Sequence, residues 1–407
     1  MMLVCFEDRS TETLRPISEL TPLSDLIVGG LTQLDRIRLK IGEPNLVLVR
    51  GMLSLKVRER GLRTDGTPDE PALFVNMAIN PKALELVPSI GKEEALVSDG
   101  EVVAALLSAR DAEEVISNYS PEDVTKLILE RVSSRRSLDK GIMSYPWDVC
   151  PLGLDLLKED IEHLIRSGEY DKLSEGVYAS KSAQIEDSVA FDSRDGPVVV
   201  EGELEPFSYI KGPCFVGKGS IVFSGARIEC SYLGDVVRAG GEISCSVMAP
   251  FSNNRHFGFL GHSYVSSWVN IGAGTVTSNL KNTYGNIRKV IRGRKIDTGL
   301  NKLGCFMAPH SKLSIGTMTF GGTYIGTASH VMGFVSEDVP PFTIYARSLG
   351  YDPVELEVDS AIRTYHRMAK RRGVPPSRGE EEALRKLFEI SKEERSGVRK
   401  GRFRNVQ

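Results

Sequence analysis

Aliphatic or small residues recur at every sixth position over long stretches of this sequence, with Val198, Leu204, Ile210, Val216, Val222 and Ile228 forming one unbroken series. The same step links Val177, Ala183 and Val189, then Val265, Ile271 and Thr277, and finally Leu313, Thr319, Ile325 and Val331. A helix does not account for it, because Gly217, Gly219 and Gly225 would each cost a helix about 1 kcal/mol. A β-sandwich of short strands has no reason to hold a six-residue register. A β-solenoid does: each hexad gives one short strand and one turn, three hexads close a triangular coil, and the inward aliphatic stacks on its equivalents in the adjacent coils. Glycine and asparagine take the tight corners.

The register breaks twice. It slips between Leu233 and Leu260, and it is interrupted between Asn279 and Lys302 by a segment carrying Lys281, Arg288, Lys289, Arg292, Arg294, Lys295 and Lys302 against one acid, Asp297. Insertions in a solenoid are extruded onto one face, commonly the binding face. A basic extruded loop suits a phosphorylated ligand.

Flanking segments read differently. Residues 1–145 alternate apolar runs ("LVLVRG", "ALFVNMAI", "VVAALLS") with charged helical segments ("GLTQLDRIRLKIG", "SPEDVTKLILERVSS"), the pattern of an α/β layer domain. Residues 146–175 read as an amphipathic connector helix with Leu156, Ile161, Leu164 and Ile165 near one face. The solenoid then spans 176–345, and 346–407 read as a helical tail of two helices with a basic end.

Composition narrows the partners. A net charge of −3 over 407 residues gives no overall field for nucleic acid or an anionic membrane surface, so any anion site is local. Glu7 and Asp8 cut short the first apolar run, and no later segment reaches a membrane span, which predicts a cytoplasmic protein. Cys5, Cys150, Cys214, Cys230, Cys245 and Cys305 show no CxxC spacing; they read as reduced packing residues, and no metal site is predicted.

One stretch carries chemistry: "RHFGFLGHSYVSSWVNIGAGTVTSN", residues 255–279. It resembles the active-site coil of the bifunctional glucosamine-1-phosphate acetyltransferase and N-acetylglucosamine-1-phosphate uridylyltransferase family, without a gap from His256 to Asn279. "RGRKIDTGLNKLGCFMAPHSKLSIGTMTFGGTYIG" resembles more narrowly its archaeal and alternative bacterial branches. "LVCFEDRSTETLRPISELTPLSDLIVGGLTQLDRIRLKIG", with "LFVNMAINP" and "YPWDVC", is similar to their divergent sugar-nucleotidyltransferase-like domain. The resemblance implies an α/β nucleotidyltransferase-like domain, a left-handed parallel β-helix of hexapeptide repeats and a helical tail, assembled as a homotrimer.

Acyl transfer from a thioester to an amine needs a group to take the amine's proton, and histidine, with an ordinary pKa near ~6.5, suits that task. The resemblance makes His256 the general base, Asn270 a sugar contact, Ala273 the position whose peptide N–H meets the acyl donor, and Asn279 a second donor contact. Arg227 matches an arginine that holds the sugar phosphate, and Glu242 a neighbouring glutamate. His262, one hexad after His256, reads as a surface residue rather than a second site residue.

This sequence departs from the family at three places. Phe259 stands for a tyrosine, Ser244 for a phosphate-binding lysine and Leu280 for a donor-side tyrosine. Two lost polar contacts at ~1 to 3 kcal/mol each weaken the original acceptor site. Either the substrate differs or Arg255, Lys281 and Arg288 take over the phosphate.

Nucleotidyltransferases of the resembled type open with a glycine-rich loop whose peptide N–H groups approach the nucleoside triphosphate. "FEDRSTETLRPISELTPLSD" has no glycine between Phe6 and Ile27, and Leu23 and Ser24 follow Pro22 where the family has a lysine. Arg9, Arg15 and the carboxylates Asp8 and Asp25 are the candidates for a nucleotide and Mg2+. The sequence thus predicts an acetyl-CoA-dependent N-acetyltransferase acting on an amino sugar phosphate or sugar nucleotide. Two alternatives stand beside it: sugar-1-phosphate nucleotidylyl transfer by the first domain, alone or in addition, and a non-catalytic sugar-nucleotide-binding or scaffold protein.

Overall fold

The computed structural model describes residues 1–149, 153–291 and 293–401. Cys150, Arg292 and the last six residues of the basic tail lie outside the described residues. The chain divides into two compact units, one of Met1–Leu26, Leu31–Asp148 and Ser377–Leu387, the other of Ile27–Gly30, Val149–Pro376 and the residues from Phe388.

The first unit is built on a six-stranded mixed sheet in the order Leu46–Leu48, Met2–Phe6, Ala72–Asn76, Glu101–Leu107, Glu94–Ser98, Ser134–Ser137. The first three strands run parallel, and every one of their residues is buried, which is why they read as continuous apolar runs. Helices of this unit include α1 (Gln33–Lys40), α2 (Ala109–Ser117) and α3 (Val124–Leu129). Thr32 and Ser108 cap the first two by accepting from the N–H groups of Asp35 and Asp111.

The second unit is a β-solenoid. Three sheets of nine, ten and eight strands form its faces, and their coil-to-coil pairings are parallel. The hexad series points inward: Val198, Leu204, Ile210, Val216, Val222 and Ile228 are each 0% exposed. Thr277 and Thr319 occupy the same inward stack on the eight-stranded face. The slip between Leu233 and Leu260 does not interrupt the coils, since Arg238–Ala239, Glu242–Ser244, Val247–Met248 and Asn253–Asn254 continue all three faces. The segment 279–302 does: Tyr264 pairs directly with Phe306, and the intervening chain leaves as a hairpin of Arg288–Ile291 against Arg294–Asp297.

Both ends of the solenoid correct the sequence reading. The connector is not one helix through 175: α4 covers Gly153–Ser167, and Tyr170–Ser174 is a strand running antiparallel to Val177–Ser180. A side chain at Gly168 would meet the Tyr170 ring at 2.3 Å, so glycine permits the sharp exit. At the far end Tyr351–Glu355 runs antiparallel to Thr343–Ala346, so the tail is not wholly helical. Antiparallel strands at both ends cover sheet edges that would otherwise offer unpaired peptide groups. The tail helices are α5 (Val358–Arg371) and α6 (Arg378–Ile390). α5 packs on the solenoid through Tyr365 and Ala369, with the Tyr365 ring edge-on to Trp268 at 5.3 Å.

Candidate functional site

Outward-facing residues of the ten-stranded face form a polar column, because alternate residues of each short strand point to opposite sides. Arg238 lies beside Asn253, Asn253 beside Asn270, Asn270 beside Lys312 and Lys312 beside His330. Their inward neighbours Ala239, Asn254, Ile271, Leu313 and Val331 are buried. Asn253 Nδ2 donates to Asn270 Oδ1 at 2.7 Å.

His256 stands exposed on the turn that carries the chain from this face to the eight-stranded one. It lines a cavity of about 520 Å3 together with Asn270 and Ala273. The turn Gly272–Gly274 forms another wall. Gly272 N–H donates to Leu313 O at 2.8 Å and Gly274 N–H to Phe257 O at 2.8 Å. Gly274 sits at φ +75°, a conformation that disfavours any side chain. Between them the Ala273 N–H takes no acceptor among the described residues, and Ala273, with only a methyl side chain, lines the cavity.

Lys312 belongs to the same wall and was not expected. Its stem reaches the surface while its amine turns inward, donating to Trp268 O at 2.9 Å and His310 O at 2.6 Å. Burial pulls the amine down to about 7. Burial, and then the neighbouring Lys312 charge, pull His330 down to about 4, which keeps that ring neutral. α5 supplies Thr364, Met368, Arg371 and, just past its end, Arg372 to the cavity.

Other predicted residues lie elsewhere in the fold. Arg227, Glu242 and Phe259 are register neighbours on the eight-stranded face, outside this cavity. Arg227 is paired with Glu229 and lies over the Tyr209 ring at 4.9 Å. Lys281 and Arg288 are exposed on the extruded segment, Lys281 donating to Asn286 O and Arg288 pairing with Asp297 at 3.5 Å. Lys289, counted with that basic loop, is instead buried: it donates to Gly322 O at 2.6 Å and pairs with Asp338.

His262 corrects its surface reading. It is half-buried at a corner, with Asn279 Nδ2 and its Nδ1 2.9 Å apart. It also lies beside Cys245, whose thiol is drawn well below the ordinary range by Cys230 first and by His262. Gly261 makes room for this arrangement, since a Cβ there would lie 2.6 Å from Asn279 Nδ2.

In the first unit Arg9 donates to Glu122 O at 2.9 Å and lines a cavity of about 350 Å3 with Glu101 and Arg135. Arg15 pairs with Glu19 at 3.2 Å, and Asp25 pairs with Arg60. Asp8 is buried, accepts from Ser10 N–H and Asn76 Nδ2, and is raised above the usual carboxylate range by that burial. Each of these polar groups has a partner within the fold. Among the described residues no three His, Cys, Asp or Glu side chains gather as a metal-binding group. Among them also no helix is long and apolar enough to cross a membrane.

Comparison with known proteins adds family information. Residues 3–168 match the family model described as sugar nucleotidyl transferase. A bifunctional sugar-1-phosphate nucleotidylyltransferase/acetyltransferase of Sulfurisphaera tokodaii is 27% identical over 207 residues, covering 51% of this chain and 46% of its own length. The bifunctional protein GlmU of Bartonella bacilliformis is 26% identical over 291 residues, covering 67% of this chain and 59% of its own. The chain therefore spans about half the length of these curated relatives. Among solved structures, the UDP-N-acetylglucosamine acyltransferase of Francisella novicida matches 56% of this chain and 82% of its own at 14% identity and TM-score 0.26, values at which the likeness carries no functional weight.

Proposed function

We propose, for a chain whose matches support the bifunctional GlmU-like family, that the solenoid transfers an acetyl group from acetyl-CoA to the amine of an amino sugar phosphate or sugar nucleotide. The observation that carries this reading is the meeting of His256, Asn270 and Ala273, whose N–H has no acceptor among the described residues, at one cavity.

His256 takes the proton from the acceptor amine as its nitrogen attacks the thioester carbonyl. The Ala273 N–H donates to the carbonyl oxygen as negative charge builds there, which lowers the barrier because the donor is already in place. The N–C bond forms, the C–S bond breaks, and the departing thiolate takes up a proton from the protonated His256. Asn270 presents an amide to the hydroxyl-rich acceptor. Exposed Val276, Met318 and Phe334 lie in register on the eight-stranded face, which supports a homotrimer formed through it.

Free-thiol release from acetyl-CoA against a panel of amino sugar phosphates and UDP-linked amino sugars tests the activity. Turnover identifies the acceptor class; silence across the panel sinks the reading. A second activity, sugar-1-phosphate nucleotidylyl transfer by the first unit, is favoured by the match over residues 3–168. Release of pyrophosphate from a nucleoside triphosphate and a sugar 1-phosphate, with and without added Mg2+, tests it separately.

A further inference from the structure

Four arginines face one another across the His256 cavity. Arg238 comes from the ten-stranded face, Arg255 from the turn beside His256, and Arg371 and Arg372 from the C-terminal end of α5. Among the described residues none of the four takes part in an ion pair. Arg238 donates to the carbonyls of Gly219 and Val237, at 2.8 and 3.0 Å, and Arg255 lies over the Phe223 ring at 4.4 Å. The carboxylate acting on Arg238, Glu203, stands two strands away, with Ile221 between them.

Such a cluster opposes itself. Burial and then its arginine neighbours Arg238 and Arg371 hold Arg372 below the ordinary guanidinium range. Burial also lowers Arg238, with Arg255 acting in the same direction. A fold that gathers four like charges at a cavity without carboxylates makes that cavity a favourable place for an anion. Guanidinium forks match phosphate oxygens two at a time, and four forks exceed what a single phosphate monoester requires.

We infer that Arg238, Arg255, Arg371 and Arg372 form a diphosphate-binding site, half of it supplied by the C-terminal helix α5. The inference rests on the reading of the His256 cavity as the acyl-transfer site. It assigns α5 a direct part in ligand binding. It places positive charge at this cavity, which Ser244, uncharged and outside it, does not supply. The same chemistry occurs in the diphosphate of a nucleotide-linked sugar and in that of coenzyme A.

Arginine modification by phenylglyoxal, followed peptide by peptide on the full wild-type chain, tests it without relying on a variant that folds. Arg255 and Arg371 are exposed and label readily; Arg110, in the first unit, serves as the internal control. Inorganic pyrophosphate at millimolar concentration is expected to slow labelling of Arg255 and Arg371 at least fivefold and to leave Arg110 unchanged. Protection by UDP-N-acetylglucosamine but not coenzyme A assigns the site to the acceptor, and the reverse assigns it to the donor. Unchanged labelling of Arg255 and Arg371 with all three probes overturns the inference.

Thiol-release assays with Arg371→Gln/Arg372→Gln and with His256→Ala separate the two readings. Protection without any effect of His256→Ala leaves the anion site standing and removes the acyl-transfer assignment. A strong His256→Ala effect with no protection does the opposite.

Discussion

Asn253 Nδ2 donates to Asn270 Oδ1 at 2.7 Å across adjacent coils. That bond occupies the Asn270 carbonyl and leaves its NH2 group as the free end of the amide, so on the proposed reading Asn253 positions the residue that meets the acceptor. Asn253→Ala is expected to raise the acceptor KM about 5- to 150-fold, the equivalent of ~1 to 3 kcal/mol for a polar group left unpaired, with kcat within a factor of three. Steady-state kinetics with the acceptor varied checks this; an unchanged KM contradicts it.

Lys312 gives the solenoid a pH dependence of definite sign. Its amine is lowered from 10.5 to about 7 by burial, so between those values the unfolded chain holds a proton that the folded chain lacks. The contribution of this group to stability therefore rises with pH from about 7 toward 10.5 and is flat below about 7. Urea unfolding followed by far-UV circular dichroism should give Lys312→Met a smaller gain in midpoint than wild type between pH 7.5 and 9.5. Equal gains would show that the amine titrates normally in the fold.

Gly240 controls where His256 stands. A Cβ at this position would meet the Arg255 carbonyl oxygen at 1.9 Å and its carbon at 2.6 Å, both backbone atoms that move only with the chain. Gly240→Ala should therefore displace the Arg255–His256 turn and lower kcat/KM at least tenfold, even where the variant melts as a folded protein. Wild-type kinetics would show that the turn absorbs the shift.

Val276, Met318 and Phe334 present an apolar stripe on the eight-stranded face. Light scattering coupled to size exclusion should find a trimer for the wild type and a smaller species for Met318→Glu, because a carboxylate at a closed apolar contact is costly. A wild-type monomer would remove the assembly from the account.

Legibility in the sequence followed the source of each constraint. Inward positions such as Val216, Val222 and Ile228 were readable because every coil repeats the same requirement at the same offset. Arg238, Asn253 and Lys312 carried a signal that went unread: each immediately precedes an inward residue, Ala239, Asn254 or Leu313, and so shares the offset of Asn270. Arg371 and Arg372 had no such signal, since their place is set by the packing of Tyr365 and Ala369 some residues earlier. His262 read as surface because a corner position does not reveal that Asn279 and Cys245 lie beside it. Arg227, Glu242 and Phe259 share a face by register, but the turn at His256 separates that face from the cavity.

The central claim is that His256 takes the proton of an acceptor amine at the cavity it shares with Asn270 and Ala273. The most direct measurement is the rate of thiol release from acetyl-CoA by wild type and by His256→Ala, with the best acceptor of the panel at saturation. The account predicts a fall in kcat of about a hundredfold or more, within the range expected for loss of a general base. A kcat within threefold of wild type, in a variant shown to be folded and to bind both substrates, would contradict it.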